Sequence, residues 1–251
     1  MTTLFNCALN GIPLASLDDR MCILDICEDA PRMHAASFSL PGGGRRISQV
    51  RESLTLHIRF SIQEENPVLR KQALQSVYAW AADGGTLTVS DRPGQQLTVI
   101  CTDLPAVTGD NWQEALTLTF TTTHCPYWED VNATFLSGSG AMSFTLPGTA
   151  SSAPVSATIT NIGSQDVTRL SVQCGANWII FEDICLPAGG KAYLQMKDGR
   201  FSTRINGESI LPCRTAGSAD LLLAPCGAGC IVSASADQAL EATFSARGRY
   251  A

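Results

Sequence analysis

From Val50 to Ile62 the chain alternates. Val50, Leu54, Leu56, Ile58, Phe60 and Ile62 are apolar, with Glu52 the exception on that row, and the positions between them, Arg51 to Ser61, are polar. A period of two puts one row of side chains on each face of a strand, so the segment reads as a β-strand with one buried and one open face. It runs to about a dozen residues, twice the usual strand length of roughly 5–6. A strand of that length is expected to arch beyond the body of its domain or to pair with a neighbouring subunit.

The text around it is also strand-like. Met21 to Cys27 and His34 to Leu40 are short apolar stretches, and Pro41-Gly42-Gly43-Gly44 reads as a flexible turn or loop tip. One helix is predicted, starting at Pro67. Asn66 suits its cap, and proline suits the first helical position because its missing N–H has no partner there anyway. Leu69, Ala73, Val77 and Trp80 form its expected apolar stripe, flanked by Leu74 and Ala81, and Asp83-Gly84-Gly85 ends it. Strands are expected again at Thr86–Ser90, Gln96–Thr102 and Trp112–Thr123, before Pro126 ends regular pairing.

After Trp128 the composition shifts toward Ser, Gly, Ala and Thr, and no helical period stands out. Expected strands are Ala141–Leu146, Val155–Asn161, Val167–Cys174, Trp178–Phe181, Lys191–Met196, Phe201–Ile205, Ala219–Leu223, Cys230–Ala236 and Leu240–Arg247. Glycine turns separate them, among them Leu146-Pro147-Gly148 and Lys197-Asp198-Gly199. Short strands at this spacing predict a β-sandwich. The 251 residues suit two domains, with a boundary near 129–136.

Composition narrows the functional classes. The chain is 45% hydrophobic and 16% charged, enough to bury cores and far from a disordered profile. Its net charge of −6 argues against a surface that grips nucleic acid. No Lys or Arg precedes Arg20, so a basic secretory leader is not expected, and no apolar run approaches the ~20 residues of a membrane span. Ten cysteines in a chain without an export signal are expected as free thiols. Several, such as Cys22 and Cys101, sit in apolar text and are expected to pack as small hydrophobes.

No catalytic or metal set emerges. His124-Cys125 pairs a thiol with an imidazole in sequence, but neighbours on a strand point to opposite faces, and any base would have to be His34 or His57. Cys226 and Cys230 bracket a glycine turn like half a metal knuckle, with Cys213 nearest. A zinc site needs further ligands, and no histidine follows His124. Asp18-Asp19, Glu28-Asp29 and Glu64-Glu65 are adjacent acids rather than carboxylates facing across a cleft. Pro41-Gly42-Gly43-Gly44-Arg45-Arg46 lacks the lysine and the strand-to-helix setting of a phosphate loop. Trp128 and Trp178 are candidate sugar platforms. Trp178 lies in Asn177-Trp178-Ile179-Ile180-Phe181, where core packing is the expected role.

The order of these features resembles a known family. The residues that carry the likeness are Asn10-Gly11-Ile12-Pro13-Leu14, Gly44-Arg45-Arg46, the strand Leu54–Ile62, Tyr78-Ala79-Trp80, and Thr119-Phe120 leading into Cys125-Pro126-Tyr127-Trp128-Glu129. Together they resemble the distal tail protein family of siphophages, the Dit-type tail components. The likeness covers the N-terminal half best.

The resemblance implies a mainly β fold. Residues 1–132 would form a ring-forming, tail-tube-like β-barrel or sandwich with one flanking α-helix, and residues 133–251 a galectin-like β-sandwich. It implies a structural tail protein, not an enzyme, without cofactor or metal. The subunit would form a homo-oligomer, a hexamer, joining the distal end of the tail tube to the baseplate hub or tail-associated fibre proteins. DNA would only transit the lumen, and no part would span a membrane. The location would be the tail tip of the virion, after assembly in the bacterial host cytoplasm. Gly43, Gly44, Arg45, Arg46 and Ile47 are the expected inter-subunit or tube contacts. The alternatives are a tail-tube or other baseplate ring protein, or a carbohydrate-binding adhesion module of the tail tip. About 120 residues follow the boundary, which leaves no room for the sugar-binding insert that some members carry.

Overall fold

The computed structural model describes residues 5–39, 45–106, 115–197 and 200–251. These form two compact units, Met1–Trp128 and Glu129–Ala251. Both are built mainly of antiparallel β-structure.

Unit 1 contains β1 (Cys7–Leu9), β2 (Ile12–Pro13), β3 (Met21–Glu28), β4 (Met33–Ser39), β5 (Arg45–Arg51), β6 (Thr55–Ile62), α1 (Pro67–Ala81), β7 (Gly85–Val89), β8 (Gln95–Asp103) and β9 (Leu116–Thr122), and β10 (Trp128–Asp130) begins at its end. Its main sheet runs β2-β1-β7-β8-β9-β6-β3. No ladder joins β3 to β2, so among the described strands the sheet is open rather than closed into a barrel. β6 and β9 set their apolar rows opposite each other, Leu56 against Phe120, Ile58 against Leu118 and Phe60 against Leu116. All six side chains are buried. Each contributes roughly 1.5–3 kcal/mol through the apolar surface it withdraws from water.

The long alternating segment is two strands, not one. β5 stops at Arg51 and β6 starts at Thr55, with Glu52, Ser53 and Leu54 outside both. Thr122 makes this break. Its Oγ1 accepts from the Leu54 N–H at 2.9 Å, and its own N–H donates to the Leu54 carbonyl at 3.0 Å. Leu54 is thereby fixed to the end of β9, and the chain before it is free to leave the sheet.

α1 begins as the sequence predicts, with Asn66 Oδ1 accepting from the Val68 N–H at 2.9 Å. Its buried stripe is rotated from the expected one, however. Arg70, Ala73, Leu74, Val77 and Ala81 face inward, while Leu69 is exposed. Trp80 turns its indole N–H to the Ile12 carbonyl at 2.9 Å and meets the Phe120 ring edge-on, with centroids 6.0 Å apart. Gly84, at φ +62°, ends the helical turn where a Cβ would stand 2.4 Å from the Val99 carbonyl oxygen.

Unit 2 contains β11 (Thr134–Gly138), β12 (Met142–Thr145), β13 (Ala153–Pro154), β14 (Ser156–Asn161), β15 (Val167–Cys174), β16 (Asn177–Leu186), β17 (Lys191–Lys197), β18 (Arg200–Ile205), β19 (Glu208–Ser209), β20 (Leu223–Ala224), β21 (Gly229–Ala236), β22 (Leu240–Ala246) and β23 (Arg249–Tyr250). Its two larger sheets run β11-β22-β14-β17-β18-β19 and β12-β21-β15-β16. Ile159, Leu194 and Phe244 from the first share one hydrophobic core with Leu170, Val172, Phe181 and Val232 from the second. The strand expected at Ala219–Leu223 is absent. Only Leu223 and Ala224 pair, with Pro154 and Ala153. Asn161, fully buried, has both ends of its amide satisfied, by the Gln165 and Leu186 carbonyls and the Gly163 N–H.

The two ends of unit 2 are fastened to each other. The Asp130 N–H donates to the Gly248 carbonyl at 3.0 Å, Arg249 Nε to Glu129 Oε1 at 2.8 Å, and the Tyr250 hydroxyl to Asp130 Oδ1 at 3.0 Å. Gly248 has no room for a side chain, since a Cβ would lie 2.3 Å from Asp130 Oδ2.

Candidate assembly surface

β4 and β5 form a hairpin, from Met33 opposite Arg51 to Ser39 opposite Arg45, that pairs with no other strand among the described residues. A lone two-stranded ribbon is marginal in water. Its outer edges carry N–H and C=O groups that no described strand pairs, and such edges invite another chain. Near its root Met33 and Val50 are 55% and 61% exposed. Of the contact residues read from the sequence, Gly43 and Gly44 lie outside the described residues. Arg45, Arg46 and Ile47 lie in β5, opposite Ser39, Phe38 and Ser37.

Arg51, the last residue of β5, was not singled out by sequence reasoning. Only 9% of it is exposed, and its guanidinium lies 4.9 Å from the centroid of the Tyr127 ring. It lines a hollow of 440 Å³ together with Val50, His124, Cys125, Pro126 and Tyr127. Its Nε and Nη2 are buried, with no hydrogen-bond partner among the described residues. Two other arginines of unit 1 have carboxylate partners. Arg20 bonds Asp18 and Glu64, and Arg92 Nη2 lies 3.0 Å from Glu28 Oε2. That Glu28 oxygen also accepts from Trp128 Nε1 at 2.9 Å, and the Arg92 guanidinium sits 5.0 Å from the centroid of the Trp128 ring.

The nucleophile and metal candidates are not brought together. His124 and Cys125 follow β9 in a bend rather than in a strand. The His57 ring contacts Asp29 at 3.3 Å and Thr119 at 3.2 Å. Where a cysteine departs from its ordinary pKa, the shift is upward. Burial pushes Cys7 up to about 12, the neighbouring Asp25 carboxylate raises Cys27, and Asp166 raises Cys185. A raised thiol is a poor nucleophile. Among the described residues no three His, Cys, Asp or Glu side chains are grouped to hold a metal. All ten cysteines are free, and only Cys7 and Cys174 are buried. Cys22 and Cys101, expected in the core, are partly exposed.

In unit 2, Trp178 is not the core residue the sequence predicts. It is 40% exposed. Ile179 and Phe181 take the core side of β16 and leave Trp178 on the opposite face, beside Gln173 of β15. Arg169, Ser171, Ile180, Ser235 and Asp237 line a 460 Å³ hollow in the same unit. No described helix is long and apolar enough to cross a membrane.

No family model and no curated protein matches the chain. Among solved structures, it superposes on the SPP1 Dit protein, described as a paradigm of the hub adsorption apparatus in phages infecting Gram-positive bacteria, with a TM-score of 0.69 at 14% identity, covering 97% of this chain and 99% of that one. This chain has the Dit fold. Two structures of the phage P2 baseplate in its activated conformation, with calcium and with strontium, align over 99% and 97% of the chain at 7% and 8% identity. Their TM-scores of 0.45 and 0.43 add nothing to that fold match. The match extends over both units.

Proposed function

We propose that the chain is a non-catalytic structural component of a phage tail, a subunit that closes into a ring at the distal end of the tail tube and links it to the baseplate hub. The observation that carries this reading is the superposition on the SPP1 Dit protein over nearly the whole of both chains. The unpaired β4–β5 hairpin and the open sheet of unit 1 support it, because strand edges without partners in their own chain find them in copies of that chain.

In this reading residues 1–132 act as a tail-tube-like ring domain, with Gly43, Gly44, Arg45, Arg46 and Ile47 as its contacts to a neighbour or the tube. Residues 133–251 act as a galectin-like sandwich facing peripheral tail proteins. Six copies surround a lumen through which DNA passes. A net charge of −6 suits such a passage, since a positive wall would hold the duplex. The protein works at the tail tip of the virion after assembly in the host cytoplasm.

Sedimentation velocity and negative-stain images of the purified chain, alone and co-expressed with the tail-tube protein, test this. A closed ring with a central hole is expected. A strictly monomeric species in both preparations sinks the reading.

A second reading rests on Trp178. An exposed indole on a sheet face with serine and glutamine neighbours is the kind of platform on which sugars stack, so unit 2 would serve as an adhesion module. A glycan array is expected to show binding that Trp178→Ala abolishes. An array without binders removes this alternative.

A further inference from the structure

We propose that Asn206 is a site of spontaneous deamidation, where water converts the side-chain amide to a carboxylate through a cyclic imide with Gly207, and that the fold withholds the same reaction from Asn10. The inference stands apart from the tail reading above and needs no partner protein.

Asn-Gly occurs twice in the chain. Asn10-Gly11 turns β1 into β2, with Leu9 opposite Ile12, and Asn206-Gly207 turns β18 into β19, with Ile205 opposite Glu208. The two turns share one backbone shape. Their φ angles are +52° and +79° in the first and +51° and +88° in the second, the positive pair that a two-residue hairpin turn favours. All four residues are exposed, and a Cβ on either glycine would meet nothing within 4 Å. Neither exposure, backbone nor following residue therefore separates the two sites. Their side chains do. Asn10 Nδ2 donates to the Gly84 carbonyl at 3.0 Å, and Asn10 Oδ1 accepts from the Thr86 N–H at 2.9 Å. The same amide lies against the Gly85 backbone, where a Cβ would collide with it. The Asn206 amide has no hydrogen bond among the described residues.

The reaction needs the asparagine Cγ to swing onto the backbone nitrogen of the next residue. A glycine there has no side chain to block the approach. Hydroxide takes the Gly207 amide proton, and the nitrogen attacks Asn206 Cγ. The N–Cγ bond forms, the Cγ–Nδ2 bond breaks, and ammonia leaves with a proton from water, which restores the hydroxide. A water molecule then opens the ring. Attack at Cγ gives aspartate, and attack at the backbone carbonyl gives isoaspartate. No oxidant or reductant takes part. At Asn10 the swing must first break both hydrogen bonds, which slows it by about 30-fold. At Asn206 no such bond has to break. Either product adds a negative charge to a chain of net charge −6, two residues from Glu208. Isoaspartate also lengthens the backbone inside a two-residue turn, where β19 is held to β18 at only two positions.

The test incubates the full-length protein in mildly alkaline buffer, once folded and once in concentrated guanidinium chloride. Samples are taken over days and digested with trypsin. Mass spectrometry follows the change from amide to acid in the peptides of residues 1–20 and 205–214, and fragmentation assigns it to Asn10 and Asn206. In the folded protein Asn206 is expected to convert about 30-fold faster than Asn10. In denaturant, where no turn or hydrogen bond remains, the two rates are expected to agree within a few-fold. Equal rates in the folded protein, whether both fast or both slow, overturn the proposal, because the hydrogen bonds of Asn10 would then make no difference. A faster Asn10 overturns it as well. So does a gap between the two sites that persists undiminished in denaturant, since flanking sequence rather than the fold would then set the rates.

Discussion

Replacing Glu28 with alanine tests the packing at the end of unit 1. One oxygen, Glu28 Oε2, receives both the Trp128 indole N–H at 2.9 Å and the Arg92 guanidinium at 3.0 Å. Trp128 is 1% exposed, so its N–H cannot turn to water once the carboxylate is gone. An unsatisfied buried donor costs about 1–3 kcal/mol. The ion pair with the partly exposed Arg92 adds up to about 1 kcal/mol. Glu28→Ala is therefore expected to lower the stability of unit 1 by about 2–3 kcal/mol. Glu28→Gln keeps an oxygen for the indole and gives up only the charge, so about 1 kcal/mol is expected. Urea unfolding followed by tryptophan fluorescence measures both, with the transition of unit 1 fitted separately because a two-unit chain is not two-state. An alanine variant within about 0.5 kcal/mol of wild type, the usual range of a neutral surface change, would refute the reasoning. A glutamine variant as weak as the alanine one would show that charge, not the indole acceptor, dominates.

Three further outcomes are expected. The hydrogen bonds from Arg20 hold the Asp18 carboxyl at about 2, below its ordinary 3.8, so the stability they add is fully present above the ordinary value and is lost as pH falls from there toward 2. The gap in unfolding free energy between wild type and Asp18→Asn should close over that window. The Cys174 and Cys230 sulfurs lie 3.8 Å apart, and oxidised glutathione is expected to join them, its two halves leaving as reduced thiols. Mass spectrometry should then find a cross-linked peptide that Cys230→Ser abolishes. Gly84→Ala should destabilise unit 1 by roughly 2–3 kcal/mol in the same urea assay, because the new methyl meets the Val99 carbonyl at a backbone angle that side chains resist.

Local pattern fixed much of this fold and little of its surface. The cap at Asn66, the glycine stop and the alternation in β6 and β9 are statements about neighbours in sequence, and each stands where the sequence places it. The failures are all decided by distant partners. Nothing near Leu54 announces that Thr122 will bind its backbone and split the long strand. The inward face of α1 turns from Leu69 to Arg70, although Leu69 is the more apolar residue. Trp178 was read by the company it keeps in sequence, while the pleat sends it away from Ile179 and Phe181. Arg51 occupied an unremarkable polar position in an alternating run. What sets it apart is the Tyr127 ring over its guanidinium, a contact between residues too far apart for any window of sequence to contain. The family resemblance, read from the order and spacing of features, agrees with the fold match to the SPP1 Dit protein at 14% identity.

The clasp of Glu129 and Asp130 by Gly248, Arg249 and Tyr250 has a practical corollary. Entrance and exit of the second unit are neighbours, so the module behaves as a loop drawn shut at its neck. Cargo fused after Ala251 emerges beside the stem, leaving the far strands unobstructed for whatever docks on them. A graft of the module into another scaffold needs only two closely spaced attachment points.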